Sequence, residues 1–316
     1  MRVIITGGTG LIGQALAHSF VSDGHQVIVL GRNPNKTSGL PAGVSVTQWD
    51  GRTANGWGHL VDGAGAIVNL AGSSIAGDGL FPDRWTAERR RAIKESRVNA
   101  GKAVIDALRA ATVKPGVLIQ PSGTDYYDSD GSETVTESSP TGDDFLADIC
   151  RAWEDATREA EALGVRRAVT RMGVVLSRNG GALPRMSFPF QFFVGGPFGS
   201  GRQPVPWIHI DDVVGAMRFL IENPDGSGAF NLTAPNPVTN AEFSRALGQA
   251  MGRPSWLPIP GFAFKLAFGE VAGVVLEGDC VVPQRLLELG YAFKFPTVEA
   301  ALADLYGAGE PSAEYA

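Results

Sequence analysis

A run of glycines near the start of the chain carries the clearest chemistry. Thr6-Gly7-Gly8-Thr9-Gly10-Leu11-Ile12-Gly13 follows the apolar run Val3–Thr6 and opens the amphipathic run Leu11–Val21. Residues without a Cβ permit a tight turn and let the backbone approach an anion closely. The N-terminus of the following helix adds free N–H groups and a partial positive charge. Gly7, Thr9, Gly10, Leu11, Ile12 and Gly13 are therefore candidate pyrophosphate contacts, and Gly13 also lets helix and strand pack closely. The end of the second apolar run, Gln26–Leu30, selects between cofactors. NAD sites usually place Asp or Glu there to hold the ribose 2′-hydroxyl. Here Gly31-Arg32-Asn33 follow, and the planar guanidinium of Arg32 suits a 2′-phosphate. The residues favour NADP(H).

The elements that must position this loop alternate along the first half of the chain. Strands are expected at Val44–Gln48, Ala66–Leu70, Gly116–Gln120 and Arg167–Thr170, with helices at Glu88–Ala111 and Asp143–Leu163. The alternation implies an α/β fold: a doubly wound parallel Rossmann sheet with helices on both faces and a smaller C-terminal lobe. Residues 1–175 are read as the NADP-binding domain, to which the chain returns at about 207–233. Residues 176–316 form the substrate-side lobe, mainly 178–206 and 235–306. The segment 178–206 reads as irregular and loop-rich, and the last residues from Gly307 as frayed.

Composition narrows the classes. With 27 basic and 33 acidic side chains the net charge is 27 − 33 = −6, so no basic face for nucleic acid or an anionic membrane is expected. The two cysteines, Cys150 and Cys280, make neither a disulfide framework nor a zinc cluster. The four histidines are not at metal-ligand spacing, and no metal is expected. No Gly-x-Ser-x-Gly elbow precedes a helix, which removes the hydrolase nucleophile. Without a signal-peptide pattern or a membrane-length apolar window, a cytoplasmic chain is the simplest reading.

Several stretches resemble the extended short-chain dehydrogenase/reductase superfamily. Thr6–Gly13 matches its cofactor loop, Val68-Asn69-Leu70-Ala71-Gly72 its fourth-strand motif, and Trp207-Ile208-His209-Ile210-Asp211-Asp212-Val213 its late motif. Arg84-Trp85, Ser96-Arg97-Val98, Asp125-Tyr126-Tyr127, Gly180-Gly181-Ala182-Leu183-Pro184 and the segment 283–291 are similar to an atypical epimerase-like subgroup. That subgroup has a C-terminal domain of unknown function and is labelled a nucleoside-diphosphate-sugar epimerase. The resemblance implies a cofactor groove lined by Gly31, Arg32, Asp50, Leu70, Ala71, Gly72 and Arg97 besides the glycine loop. It also implies a homodimer built on the Glu88–Ala111 and Asp143–Leu163 helices, and a substrate-phosphate contact at Arg202.

Ordinary members of the superfamily use a tyrosine and a lysine four residues apart, on one helical face. Here the residues four places after Tyr126, Tyr127, Tyr291 and Tyr306 are Asp130, Gly131, Phe295 and Glu310. Anchored on Glu154, the usual positions fall near Leu146 and Cys150. Ser122 keeps the serine position at the end of the fifth strand, with Asp125, Tyr126 and Tyr127 in the loop above it. Ser122 and Tyr127 are the catalytic candidates, and Tyr126 and Arg202 the candidate substrate contacts. Two functions follow. One is an NADP(H)-dependent oxidoreductase or epimerase acting on a small carbonyl or sugar-like compound. The other is a non-catalytic NADP(H)-binding protein that reports redox state.

Overall fold

Short runs of aliphatic and β-branched residues, buried on both faces, build the centre of the sheet. The computed structural model describes residues 1–307 except Lys36, Asp78, Asp130 and Ser132. The chain runs β1 (Arg2–Thr6), α1 (Leu11–Ser22), β2 (Gln26–Gly31), β3 (Ser45–Gln48), β4 (Ala66–Asn69), α2 (Ala87–Ala110) and β5 (Val117–Gly123). It continues through β6 (Thr134–Val135), α3 (Phe145–Asp155), α4 (Glu159–Ala162), β7 (Arg166–Met172), β8 (Val174–Leu176), α5 (Leu183–Gln191), β9 (Pro204–Val205), β10 (Trp207–His209), α6 (Ile210–Glu222) and β11 (Gly228–Leu232). The last elements are β12 (Val238–Thr239), α7 (Asn240–Met251), α8 (Gly261–Phe268), α9 (Gly273–Leu276), β13 (Cys280–Val281), α10 (Gln284–Glu288) and α11 (Val298–Tyr306).

Seven strands form one parallel sheet in the order β11-β7-β5-β4-β1-β2-β3. The winding direction reverses between β1 and β4, which opens a crevice at the carboxyl ends of the strands. On one face α1 and α6 bury Leu16, Phe20, Val213, Met217 and Leu220 against the sheet. On the other α2 buries Val104 and Leu108, with Trp57 beside them. A third apolar cluster joins α5, α7 and α11 through Phe190, Phe243, Leu247 and Leu302. This smaller C-terminal region is fastened to the start of α6. Asp212 accepts hydrogen bonds from the N–H groups of Lys294 and Phe295 at 2.7 and 2.9 Å. His209 caps α6, and its ring stacks 4.0 Å from that of Phe295.

Two expectations are corrected here. The helix expected over Asp143–Leu163 is interrupted between α3 and α4. Arg167 Nη1 and Thr157 Oγ1 both donate to the Glu154 carbonyl, at 3.1 and 3.3 Å. Arg158 N–H then bonds to Asp155 instead, and the helical ladder slips. The segment 178–206 contains a nine-residue helix, α5, despite Pro189 within it.

Among the described residues no helix is long and apolar enough to cross a membrane, and no group of His, Cys, Asp and Glu is placed to hold a metal ion. The outward residues of α2 and α3 include Lys102, Asp106, Arg109 and Asp155. These charges lie on the helices where the resemblance implied a homodimer interface. The tail beyond Gly307 lies outside the described residues.

Candidate active site and cofactor cradle

The glycine loop takes the shape its composition demands. Gly7 has φ +64°, and a Cβ on it would stand 2.8 Å from the Leu70 carbonyl oxygen. A Cβ on Gly13 would fall 2.4 Å from the Gly8 Cα, so glycine there lets α1 meet β1. At Gly10 an added Cβ meets only the Gly7 oxygen, at 3.3 Å. The protein itself does not require glycine at that position; a methyl would take up the open space over the helix. The first helical hydrogen bond runs from Gln14 N–H to Gly10 O, 2.9 Å. The N–H groups of Leu11, Ile12 and Gly13 therefore lack helical acceptors, and no side chain caps them. No acidic residue occupies this first turn. The residues thus fit an anion held by the backbone.

Two further loops and helix α2 converge on this cradle. The Leu70 N–H bonds to the Thr6 carbonyl at 3.2 Å, and Ala71 N–H to Thr6 Oγ1 at 3.0 Å. This places Leu70, Ala71 and Gly72 beside Gly7. Gly31 ends β2 with Thr9 Cγ2 3.8 Å from its would-be Cβ. Arg32 follows it, exposed and without a hydrogen-bond or ion-pair partner among the described residues. Arg97 lies against Gly72, where a Cβ would stand 3.2 Å from its guanidinium carbon. It is 7% exposed, donates from Nη1 to the Ser73 and Ile93 carbonyls, and stacks 4.7 Å from the Trp153 ring centroid. Its Nε has no partner, and no carboxylate pairs with it among the described residues. Burial lowers its pKa to about 10, so it remains a cation at neutral pH. A buried, unpaired guanidinium is costly unless an anion arrives. Asp50, also expected in the groove, is held by its own turn. Its carboxylate accepts from Arg52 N–H, Thr53 N–H and Thr53 Oγ1 at 2.8–2.9 Å, which holds its pKa low. It closes its own turn.

Beyond the cradle, a cleft of about 1210 Å³ lies between the sheet and the C-terminal region. Ser122 is at its floor, 2% exposed, with its Oγ beside the Cys150 thiol and no stronger hydrogen-bond partner among the described residues. The Trp153 indole N–H is unpartnered. Asp125 lines the same wall, and burial raises its carboxyl above the usual range. Asp279 faces it from the C-terminal region, pushed up to about 6 by burial. Arg202 is exposed at the rim.

The two candidate tyrosines pack edge to face, their ring centroids 5.4 Å apart. The Tyr127 hydroxyl donates to Asn231 Oδ1 at 2.5 Å and accepts from Arg171 Nη1 at 3.0 Å. Burial raises its pKa to about 12. Tyr127 lines the cleft, with its hydroxyl engaged by Asn231 and Arg171. The Tyr126 ring lies 3.4 Å beneath the Arg171 guanidinium and packs near Val135 and Val281. It is not part of the cleft wall.

Residues 3–172 match the NAD-dependent epimerase/dehydratase family. The chain belongs to that family. Residues 259–305 match a domain of unknown function, so the family sheet and this C-terminal piece together span the cleft. A chloroplastic epimerase family protein SDR39U1 homolog of Arabidopsis thaliana is 41% identical over 309 residues, covering 96% of this chain and 86% of that protein. The crystal structure of human epimerase family protein SDR39U1 (isoform 2) with NADPH has a TM-score of 0.86 and 36% identity, over 97% of this chain and 99% of that one. The nucleoside-diphosphate sugar epimerase of Corynebacterium glutamicum has a TM-score of 0.75 and 33% identity, over 97% of this chain and 58% of that one.

The wall formed by α3 carries neither of the side chains that the resemblance led us to seek there. Leu146 and Cys150 both face the cleft, where the tyrosine and lysine were sought. Burial raises the Cys150 thiol to about 12, so it supplies neither a nucleophile nor a cation. The sequence reading used Glu154 as an anchor but missed Arg171 and the buried pairing of the two that holds this wall, and it missed Asp279. A charged residue inside an apolar strand run, as Arg171 is in β7, was the available signal for the first pair. Nothing in the spacing marks Asp279.

Proposed function

We propose that the chain is an NADP(H)-dependent oxidoreductase or epimerase with a non-standard proton path, acting on a small molecule in the cleft. The N–H groups of Leu11, Ile12 and Gly13 would hold the pyrophosphate, Arg32 the 2′-phosphate, and Arg97 a further anionic or acceptor group of the cofactor. Bound there, the nicotinamide supplies or accepts a hydride. Ser122 Oγ holds the reacting oxygen of the substrate, and Asp125 on the same wall exchanges the proton. The observation that carries this reading is Ser122 Oγ itself, a buried hydroxyl at the floor of an open cleft with only the weakly bonding Cys150 thiol beside it among the described residues. Such a group costs stability unless a ligand completes it.

Leu146 and Cys150 favour a second reading, in which the protein binds NADP(H) without turnover and its occupancy reports redox state. One experiment separates the two. NADPH oxidation is followed across carbonyl compounds and nucleotide sugars, with wild type and Ser122→Ala. The enzyme reading expects turnover with at least one compound, reduced about 100-fold by Ser122→Ala with NADPH affinity retained. Tight NADPH binding with no turnover across the series supports the redox-reporting reading.

A further inference from the structure

The charges of the cleft are unevenly spread. Asp125, Asp144, Glu270, Glu277 and Asp279 line it, against Arg97 and Arg202. Arg90 neutralises Glu270, and Lys265 lies 3.4 Å from Glu277. Asp144 is engaged in capping α3 through the Ala147 N–H at 2.7 Å. Asp125 and Asp279 have no cation partner among the described residues, and Asp279 has a hydrogen bond only from the neutral Ser129 side chain to offset its burial. Burial raises both carboxyls, and Asp125, Asp144 and Asp128 all push Asp279 further in the same direction. Two unpaired carboxylates in a partly desolvated wall repel an anion and are relieved by a cation.

The rest of the wall says what else the ligand brings. Ser122 Oγ, 98% shielded from solvent and with only the weak Cys150 thiol beside it among the described residues, points to an oxygen on the ligand. Phe145, Leu146, Ile149 and Val174 offer apolar surface between these polar points. Among the described residues lining the cleft, Arg202 is the guanidinium left for the substrate once Arg97 is given to the cofactor. A nucleoside diphosphate needs several convergent cations, and here it would meet carboxylates.

Resting on the reading of the cleft as a substrate site, we propose that it takes a small hydroxy- or keto-amine. The protonated nitrogen pairs with Asp279, and the oxygen meets Ser122. A nucleoside diphosphate is excluded by charge.

The test uses the full chain saturated with NADPH and titrated by calorimetry with three probes: phenylethanolamine, its uncharged counterpart phenylethylene glycol, and UDP. The amine is expected to bind at least about tenfold tighter than the glycol, as a hydrogen bond to a charged group requires. UDP is expected to bind no tighter than the glycol. Asp279→Asn should erase the advantage of the amine while leaving glycol binding as it was. An amine that binds no better than the glycol, or not at all, overturns the proposal, as does UDP binding tighter than the amine. Failure to bind NADPH would instead sink the proposed function, so the two failures are distinguishable.

Discussion

Arg171 and Glu154 face each other across two parallel hydrogen bonds, Nε to Oε1 at 2.9 Å and Nη2 to Oε2 at 3.0 Å. The third arm of the guanidinium donates to Tyr127 OH, which in turn donates to Asn231. One buried network therefore joins β7, α3, the loop after β5 and β11, and it fixes the floor from which Ser122 projects. Glu154→Gln keeps the shape but leaves a buried guanidinium without its counter-charge. We expect a loss of about 3–5 kcal/mol in urea unfolding at neutral pH. A loss below about 1 kcal/mol, the range of exposed pairs, would show that water already screens this pair.

Tyr127→Phe distinguishes a structural tyrosine from a catalytic one. Removing the hydroxyl unpairs Asn231 Oδ1 and one arm of Arg171, which should cost about 1–3 kcal/mol. Turnover of any substrate found for the wild type should change by no more than about threefold, far from the 100-fold or greater loss of a removed general acid. A rate loss on that larger scale, with stability unchanged, would return the tyrosine to the chemistry.

The glycines of the cradle separate fold from function. Gly13→Ala drives a methyl into the Gly8 backbone and should lower stability by about 1–3 kcal/mol. Gly10 has φ −85° and ψ 171°, which alanine adopts freely, and only the Gly7 oxygen is near. Gly10→Ala should leave stability within about 0.5 kcal/mol and weaken NADPH binding at least about tenfold. Thermal unfolding with and without NADPH reads both quantities. Equal effects of the two substitutions on the unliganded protein would mean that Gly10 serves the fold alone.

What could be read from the sequence follows the reach of each interaction. The glycine loop was legible because its constraints are local: a positive φ at Gly7 and a helix beginning four residues later. The sheet was legible because strands buried on both faces are written as unbroken apolar runs, as in Val27–Leu30. The break between α3 and α4 was not, since it arises when Arg167 reaches back to the Glu154 carbonyl. Tyr127 was read as a candidate acid because Arg171 and Asn231, which occupy its hydroxyl, lie 44 and 104 residues along the chain. Asp279 enters the cleft from the C-terminal region, and no local pattern could place it opposite Asp125.

The account stands or falls on the anion cradle and the guanidinium beside it. Titrating the purified protein with NADPH and with NADH, for wild type and Arg32→Asp, tests both together. NADPH should bind wild type at least about tenfold tighter than NADH, and Arg32→Asp should abolish that preference. NADH binding as tightly as NADPH, or a preference untouched by Arg32→Asp, would contradict it.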